Sequence, residues 1–236
     1  MSRVVVKAGG AVVEPAAAQA LAFHGEGHEV CVVHGAGPQI SVEMARQGLE
    51  VTFVSGRRVT SAAALEVVRE SLARVNAALC AAIGPLAVGL VGDEIGLEAV
   101  RVPELGLVGD PLPSRPALVV SALDEGRIPV VAPLAKGPLN VNADEAAVAL
   151  AAGLEMERIL FMTDVPGLLL GGETLSSIRA DEAERLLGEG TFRGGIVPKL
   201  RAAVLAARLG MVAEIGETTV IADRERAAAF QSGRGA

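Results

Sequence analysis

Two rhythms alternate along the chain. Short runs rich in valine and isoleucine are separated by longer Ala/Leu-rich stretches in which apolar residues recur every three or four positions. An unbroken apolar run bounded by turn residues reads as a strand covered on both faces. The three-four spacing reads as a helix with one apolar stripe. On that basis strands are predicted at Val4–Val6, Glu29–Val33, Val51–Val54, Leu86–Val91, Ala117–Val120, Ile128–Ala132, Arg158–Met162 and Thr218–Ile221. The clearest helix runs from Thr60 to Ile83, with Leu65, Val68, Leu72, Val75, Leu79 and Ile83 on one stripe; the stripe is core by default and would also serve as a dimer seam. Pro38 suits a helix start and Gly48 its end. A second helix begins at Asn142, with Glu145 in capping-box position and Gly153 near the stop. A third runs from Pro198, read as its first residue, to Leu209, closed by Gly210. Pro103–Pro116 reads as a hairpin or loop, Gly171-Gly172 and Gly188–Gly195 as loops, and the tail after Asp223 as loose. Strands alternating with helices predict an α/β fold built on a mostly parallel sheet, with no repeat or linker and a break near Ile128.

Composition narrows the partners. At 236 residues, 51% apolar and 21% charged, the chain is long enough for one large domain or two small lobes with a packed core. It has no Trp or Tyr and five Phe, so aromatic stacking of bases is not available at scale, and a net charge of −7 argues against nucleic acid. Cys31 and Cys80 show no metal-type spacing and read as small buried hydrophobes in a reducing cytosol. The first residues carry no basic segment followed by an apolar run, which predicts no signal peptide. No apolar run reaches the roughly 18 residues of a membrane helix. A cytoplasmic location is therefore expected.

Four segments place small or charged residues at a strand's carboxyl end or a helix start, where open α/β sheets bind ligands. In Lys7-Ala8-Gly9-Gly10 a cation sits beside backbone unobstructed by side chains, suited to phosphate; a turn with a solvated lysine would look the same. In His34-Gly35-Ala36-Gly37-Pro38-Gln39 the glycines admit an anion to a helix start. As a dinucleotide fingerprint it lacks the third small residue, because Ile40 stands there, and His34 reads as structural. In Asn140-Val141-Asn142-Ala143-Asp144, capping explains Asn142 and the helix dipole could explain Asp144, while the amide of Asn140 is free for a ligand. In Gly194-Gly195-Ile196-Val197-Pro198-Lys199 a cation opposes the dipole at a helix start, a cost of about 0.3–1 kcal/mol that a bound polyphosphate would offset. Of Arg57-Arg58 at most one is expected to face a site, where arginine matches a carboxylate in bidentate fashion. Asp164 reads as either a turn residue or a nucleotide contact.

Together, Lys7-Ala-Gly-Gly, His34-Gly-Ala-Gly-Pro-Gln, Gly56-Arg-Arg-Val-Thr, Asn140-Val-Asn-Ala-Asp, Thr163-Asp-Val-Pro-Gly-Leu and Gly195-Ile-Val-Pro-Lys resemble, in order and spacing, the amino acid kinase family from Val4 to about Leu209. The resemblance implies a three-layer αβα sandwich on an open, mainly parallel eight-stranded sheet. It implies a substrate lobe over about 1–135 and a nucleotide lobe over about 136–236. It implies ATP-dependent phosphorylation of the side-chain carboxylate of N-acetyl-L-glutamate, in arginine biosynthesis, by a cytoplasmic homodimer. Lys7 and Lys199 would flank the phosphoryl group, and Asp144 would hold both lysines. Amides of Gly9, Gly10, Gly35 and Ala36 would cradle the phosphoryl group and the substrate. Arg58 and Asn140 would bind the substrate's α-carboxylate. Asp164, Val165, Pro166, Gly167, Leu168 and Leu169, with Thr191, Phe192 and Arg193, would line the nucleotide pocket. Mg²⁺ would be held chiefly by phosphates. Ala8 and Ala36 depart from the family pattern, and the Ala36 methyl is expected to crowd an amide contact. The stretch Glu14–Gly27 is short for the expected helix, and the tail after Ile221 matches poorly. The amino-terminal helix of arginine-inhibited members is not seen ahead of the first strand, which predicts a dimer insensitive to arginine. Three alternatives stay open: a relative acting on glutamate, aspartate, carbamate, a nucleotide or carrier-linked aminoadipate; a catalytically silent nucleotide-sensing subunit; and a dinucleotide-dependent oxidoreductase.

Overall fold

The computed structural model describes residues 2–223, so the tail expected to be loose lies outside the described residues. Its main sheet has eight strands: β1 (Arg3–Ala8), β2 (Glu29–His34), β3 (Ala87–Val91), β4 (Ile128–Ala132), β5 (Arg158–Phe161), β6 (Ser177–Arg179), β7 (Val212–Ile215) and β8 (Thr218–Ile221). Their order is β6-β8-β7-β5-β1-β2-β4-β3, and every pairing is parallel except the β7–β8 hairpin. The expected mainly parallel eight-stranded sheet is present.

Alternation along the central strands fills two cores. Val4 and Val6 join Val30, Val32 and Val130 against α1 (Val13–Gly25), α2 (Gly37–Arg46) and α3 (Ala62–Ile83). Val5 joins Cys31, Val33, Val131 and Ile159 on the opposite face, under α4 (Ala117–Asp124), α5 (Ala143–Gly153), α6 (Ala180–Gly188) and α7 (Ile196–Arg208). Strands sandwiched this way must be apolar at consecutive positions, which is why they read clearly in the sequence. The segment expected to be short still forms the thirteen-residue helix α1.

Two local expectations fail. Ala117–Val120 is the first turn of α4 and not a strand. Val119, Ala122 and Leu123 are its buried residues, a helical spacing that extends beyond the four residues read as a strand. Pro198 is the third residue of α7, which begins at Ile196. Helix α6, with only Ala180, Ala183 and Leu186 buried on a charged segment, has no counterpart among the expected elements.

Smaller pieces hang over the carboxyl edge of the sheet. A four-stranded sheet pairs Ala99–Arg101, Val108–Pro111, Leu139–Val141 and Leu134–Ala135. The strand expected from Val51 shrinks to Phe53–Val54, hairpinned onto Arg57–Arg58 through Ser55 and Gly56 at φ 51° and 83°. Positive φ at both central residues is what a tight two-residue hairpin demands.

Candidate active site

Sheet register delivers the first chemistry. Lys7 pairs with Val33 on one side and Phe161 on the other, so β1, β2 and β5 end together, and Gly9-Gly10 and Gly35-Ala36 lie side by side beyond that edge. The Gly35 N–H donates to the Ala8 carbonyl at 2.9 Å. It is consumed by the sheet, so the expected cradle loses that amide. The N–H groups of Gly9, Gly10, Ala36 and Gly37 have no backbone acceptor among the described residues. Gln39 Nε2 donates to the Gly10 carbonyl at 2.7 Å and braces one glycine loop against the other; a Cβ on Gly10 would collide with Gln39 Oε1. The Ala36 methyl belongs to the core beneath α1–α3. Helices α2 and α7 start at Ala36 and Gly195 with no side-chain cap, whereas Ser61 and Asn142 cap α3 and α5. Uncapped starts leave first-turn amides for an anion.

These loops, the hairpin and the starts of α5 and α7 enclose a cleft of about 260 Å³. Lys7, Gly9, Gly10, Gly35, Ala36, Arg58, Asn140, Asp144 and Lys199 all line it, residues drawn from the whole length of the chain.

Lys7 is buried, with Nζ 2.7 Å from Asp144 Oδ1. Burial pushes its pKa below the ordinary lysine value, Asp144 opposes that shift, and Lys199 adds to it by repulsion. The two ammonium groups therefore share one field. Asp144 sits in the first turn of α5, its own N–H capped by Asn142 Oδ1 at 2.9 Å. Among the described residues it pairs with Lys7 and not with Lys199, where both lysines were expected. Lys199 is half-buried with no carboxylate within 4.0 Å among the described residues.

Arg58 is 6% exposed and its pKa is lowered by burial. Its guanidinium donates to Gly37 O at 3.1 Å, Ser41 Oγ at 2.8 Å and Met44 Sδ at 3.4 Å, and stacks 4.6 Å from the Phe53 ring centroid. No carboxylate partners it among the described residues. Arg57 lines the cleft too, against the expectation that one arginine at most would, and it is fully paired: Nη1 lies 2.5 Å from Asp110 Oδ1 and Nη2 3.1 Å from Glu145 Oε2. Glu145 thus serves Arg57 instead of closing a capping box. Asn140 gives one N–H to Thr60 Oγ1 at 3.0 Å, so half of the amide expected to be free is engaged.

The residues expected at a nucleotide lie outside this lining. The loop carrying Asp164, Val165, Pro166, Gly167, Leu168 and Leu169 leaves β5 next to β1. Asp164, Val165, Pro166, Leu169, Thr191 and Arg193 are exposed. Leu168 and Phe192, at 0% and 7%, are side chains of the core, and Gly167 is pressed against Thr218, whose Oγ1 accepts the Leu168 N–H at 2.9 Å.

Neither His34 nor Cys31 offers a competing nucleophile. His34 is buried, its Nε2 3.1 Å from Asn76 Nδ2, and burial pushes its imidazole down to about 4, so it stays neutral and structural. Burial pushes the Cys31 thiol up to about 12. Among the described residues no three His, Cys, Asp or Glu side chains gather as a metal site, and no helix is long and apolar enough to cross a membrane. Sequence reasoning missed Gln39 as a brace and Phe53 as the partner of Arg58. The glutamine beside the glycine loop was a signal for the first; nothing local marked the second.

Comparison with known proteins gives the family. The amino acid kinase family matches residues 2–216. A curated acetylglutamate kinase of Rubrobacter xylanophilus is 41% identical, the alignment covering 91% of this chain and 88% of that one. The acetylglutamate kinase of a Roseiflexus species is 40% identical over 82% of each chain. A crystal structure from Streptococcus mutans superposes with a TM-score of 0.83 at 25% identity, covering 94% of this chain and 99% of that one. The chain belongs to the amino acid kinase family, and it is a kinase.

Proposed function

We propose that the protein transfers the γ-phosphoryl group of MgATP to the side-chain carboxylate of N-acetyl-L-glutamate, the reaction that the name of its curated relatives denotes. One observation carries the choice of acceptor. Among the described residues, of the four cations lining the cleft Arg57 and Lys7 have carboxylate partners and Arg58 and Lys199 have none, and the sole lining carboxylate, Asp144, is already taken by Lys7. Such a cleft attracts anions and has no counter-ion for an ammonium group. Acylation removes the amino charge of glutamate, and Ile40, Phe53, Val108 and Val141 offer apolar wall for the acetyl methyl.

The chemistry then follows from charge placement. A side-chain carboxylate with a pKa of about 4.3 is ionised at neutral pH and needs no general base. The obstacle is bringing it to a polyphosphate of the same sign, and phosphoryl transfer is accelerated mainly by positioned positive charge. Lys7, held by Asp144, and Lys199, at the start of α7, are assigned to the phosphoryl group. The unclaimed amides of Gly9, Gly10 and Ala36 complete its cradle. Arg58 and the second N–H of Asn140 are assigned to the α-carboxylate. Asp164–Leu169 and Thr191–Arg193 are assigned to the nucleotide, Leu168 and Phe192 through backbone only. The donor set of the cleft does not hold a metal by itself, so Mg²⁺ enters as part of the nucleotide substrate.

A coupled ADP-release assay with N-acetyl-L-glutamate, L-glutamate and L-2-aminoadipate tests the assignment. The expected kcat/KM favours the acetylated acceptor by about 100-fold, the scale on which an unpartnered polar group is rejected. Equal or faster turnover of free glutamate contradicts it, and ATP binding without ADP release from any acceptor identifies a silent subunit.

A further inference from the structure

The hairpin Phe53–Arg58 is held down chiefly by its two arginines. Phe53 and Val54 are 52% and 46% exposed, and an isolated two-stranded ribbon is marginal in water. Arg58 ties it to α2 through Gly37 O and Ser41 Oγ, and Arg57 ties it on the other side. Arg57 reaches Asp110 on the strand Val108–Pro111 and, with Nε and Nη2 at 3.2 and 3.1 Å, Glu145 Oε1 in the first turn of α5. Asn142 Nδ2 supports the turn through Gly56 O at 3.4 Å, and Gly56 stands close to Pro198, next to Lys199. Arg57 also stands between two cavities: it lines the acceptor cleft and a neighbouring groove of about 790 Å³ along α5 and α7.

We propose that Arg57 is a positioning residue for the acceptor: the Asp110–Arg57–Glu145 clasp fixes the hairpin so that Arg58 is presented to the acceptor's carboxylate, and it walls the cleft off from the groove. The inference rests on the acceptor assignment above. Paired to carboxylates on two separate elements, Arg57 has no charge to spare for the substrate. Its neighbour has the reverse situation, a guanidinium bonded only to neutral groups. Both arginines hold the frame, but only Arg58 keeps a charge without a carboxylate partner among the described residues to meet the ligand.

Asp110 gives the clean test, since its side chain does not line the acceptor cleft. In Asp110→Asn the KM for N-acetyl-L-glutamate is expected to rise about threefold, and in Arg57→Gln about tenfold or more. KM for ATP should stay within about twofold, and the double variant should be no worse than Arg57→Gln alone. Hydrogen exchange of residues 52–59 in the ligand-free protein should quicken in both variants while the amides of β1 and β2 keep their protection. Unchanged acceptor KM, equal rises for both substrates, or effects that multiply in the double variant overturn the proposal. If the wild-type protein does not turn over N-acetyl-L-glutamate, the acceptor assignment fails. Hydrogen exchange still decides the clasp, and unchanged hairpin exchange overturns it.

Discussion

Around the proposed acceptor site, three of the four cations lining the cleft are tied to the frame before any ligand arrives. Lys7 is bonded to Asp144, Arg58 to the first two turns of α2, and Arg57 to two carboxylates. Outside the cleft lining, the residues assigned to the nucleotide are either surface groups, such as Asp164, Thr191 and Arg193, or core side chains, namely Leu168 and Phe192. One region spends folding energy on placing charge, and the other packs an apolar base beneath a solvent-facing rim. Preorganised charge lowers the cost of bringing two anions together. An exposed rim leaves ordering to the ligand, so substitutions in the two regions should fail in different ways.

The largest expected effect is in the first region. Lys7→Ala should lower kcat by about 100- to 1000-fold, since it removes positioned charge from the transferring group. The fold should survive in circular dichroism, and turnover within threefold of wild type would break the comparison. In the second region, Phe192→Ala should cost about 3 kcal/mol of stability in denaturant unfolding by emptying a core position. Any change in KM for ATP should be secondary to that loss; a large rise in KM without a loss of stability would move Phe192 from core to contact.

His34 sharpens the contrast from below the acceptor loops. Its folded pKa of about 4 lies beneath the ordinary imidazole value near 6.5. Below that value the unfolded chain takes up a proton that the folded imidazole refuses. The stabilisation is therefore complete above about pH 6.5, is eroded as pH falls, and has lost on the order of 3 kcal/mol by pH 4. Urea midpoints of wild type and His34→Asn should converge across that window, and parallel curves would remove His34 as the cause. The smallest effect belongs to the rim. Arg193→Ala should raise KM for ATP by about two- to fivefold and leave acceptor KM alone.

The readable part of the molecule was the part governed by local rules. The sandwich showed in unbroken valine runs between amphipathic stretches, because central parallel strands are covered on both faces. Lys7 and Lys199 were marked by where their segments stand at a strand end and a helix start, whereas the roles of Asp144 and of Arg58 rather than Arg57 came only with the resemblance to the amino acid kinase family. What stayed hidden was set by long-range register. The Gly35 amide is spent on Ala8 because of how β1 and β2 align. Arg57 finds Glu145 at a sequence separation of 88, which no local pattern announces. Ala117–Val120 misled because two β-branched residues after a proline imitate a strand, while the burial of Ala122 and Leu123 that favours a helix lies just beyond. Phe192 stands in a segment read as a loop and Leu168 in one expected at the nucleotide, yet both are core, because such residues join the core when the backbone folds back on the sheet.

A crystal structure with a non-hydrolysable ATP analogue, Mg²⁺ and N-acetyl-L-glutamate would test the central claim most directly. The distance to read is that from each lysine ammonium to the nearest γ-phosphate oxygen. Lys7 Nζ and Lys199 Nζ are both expected within about 3 Å, the length of a charge-assisted hydrogen bond. A γ-phosphate held by other groups, with Lys199 turned to solvent, would contradict the account.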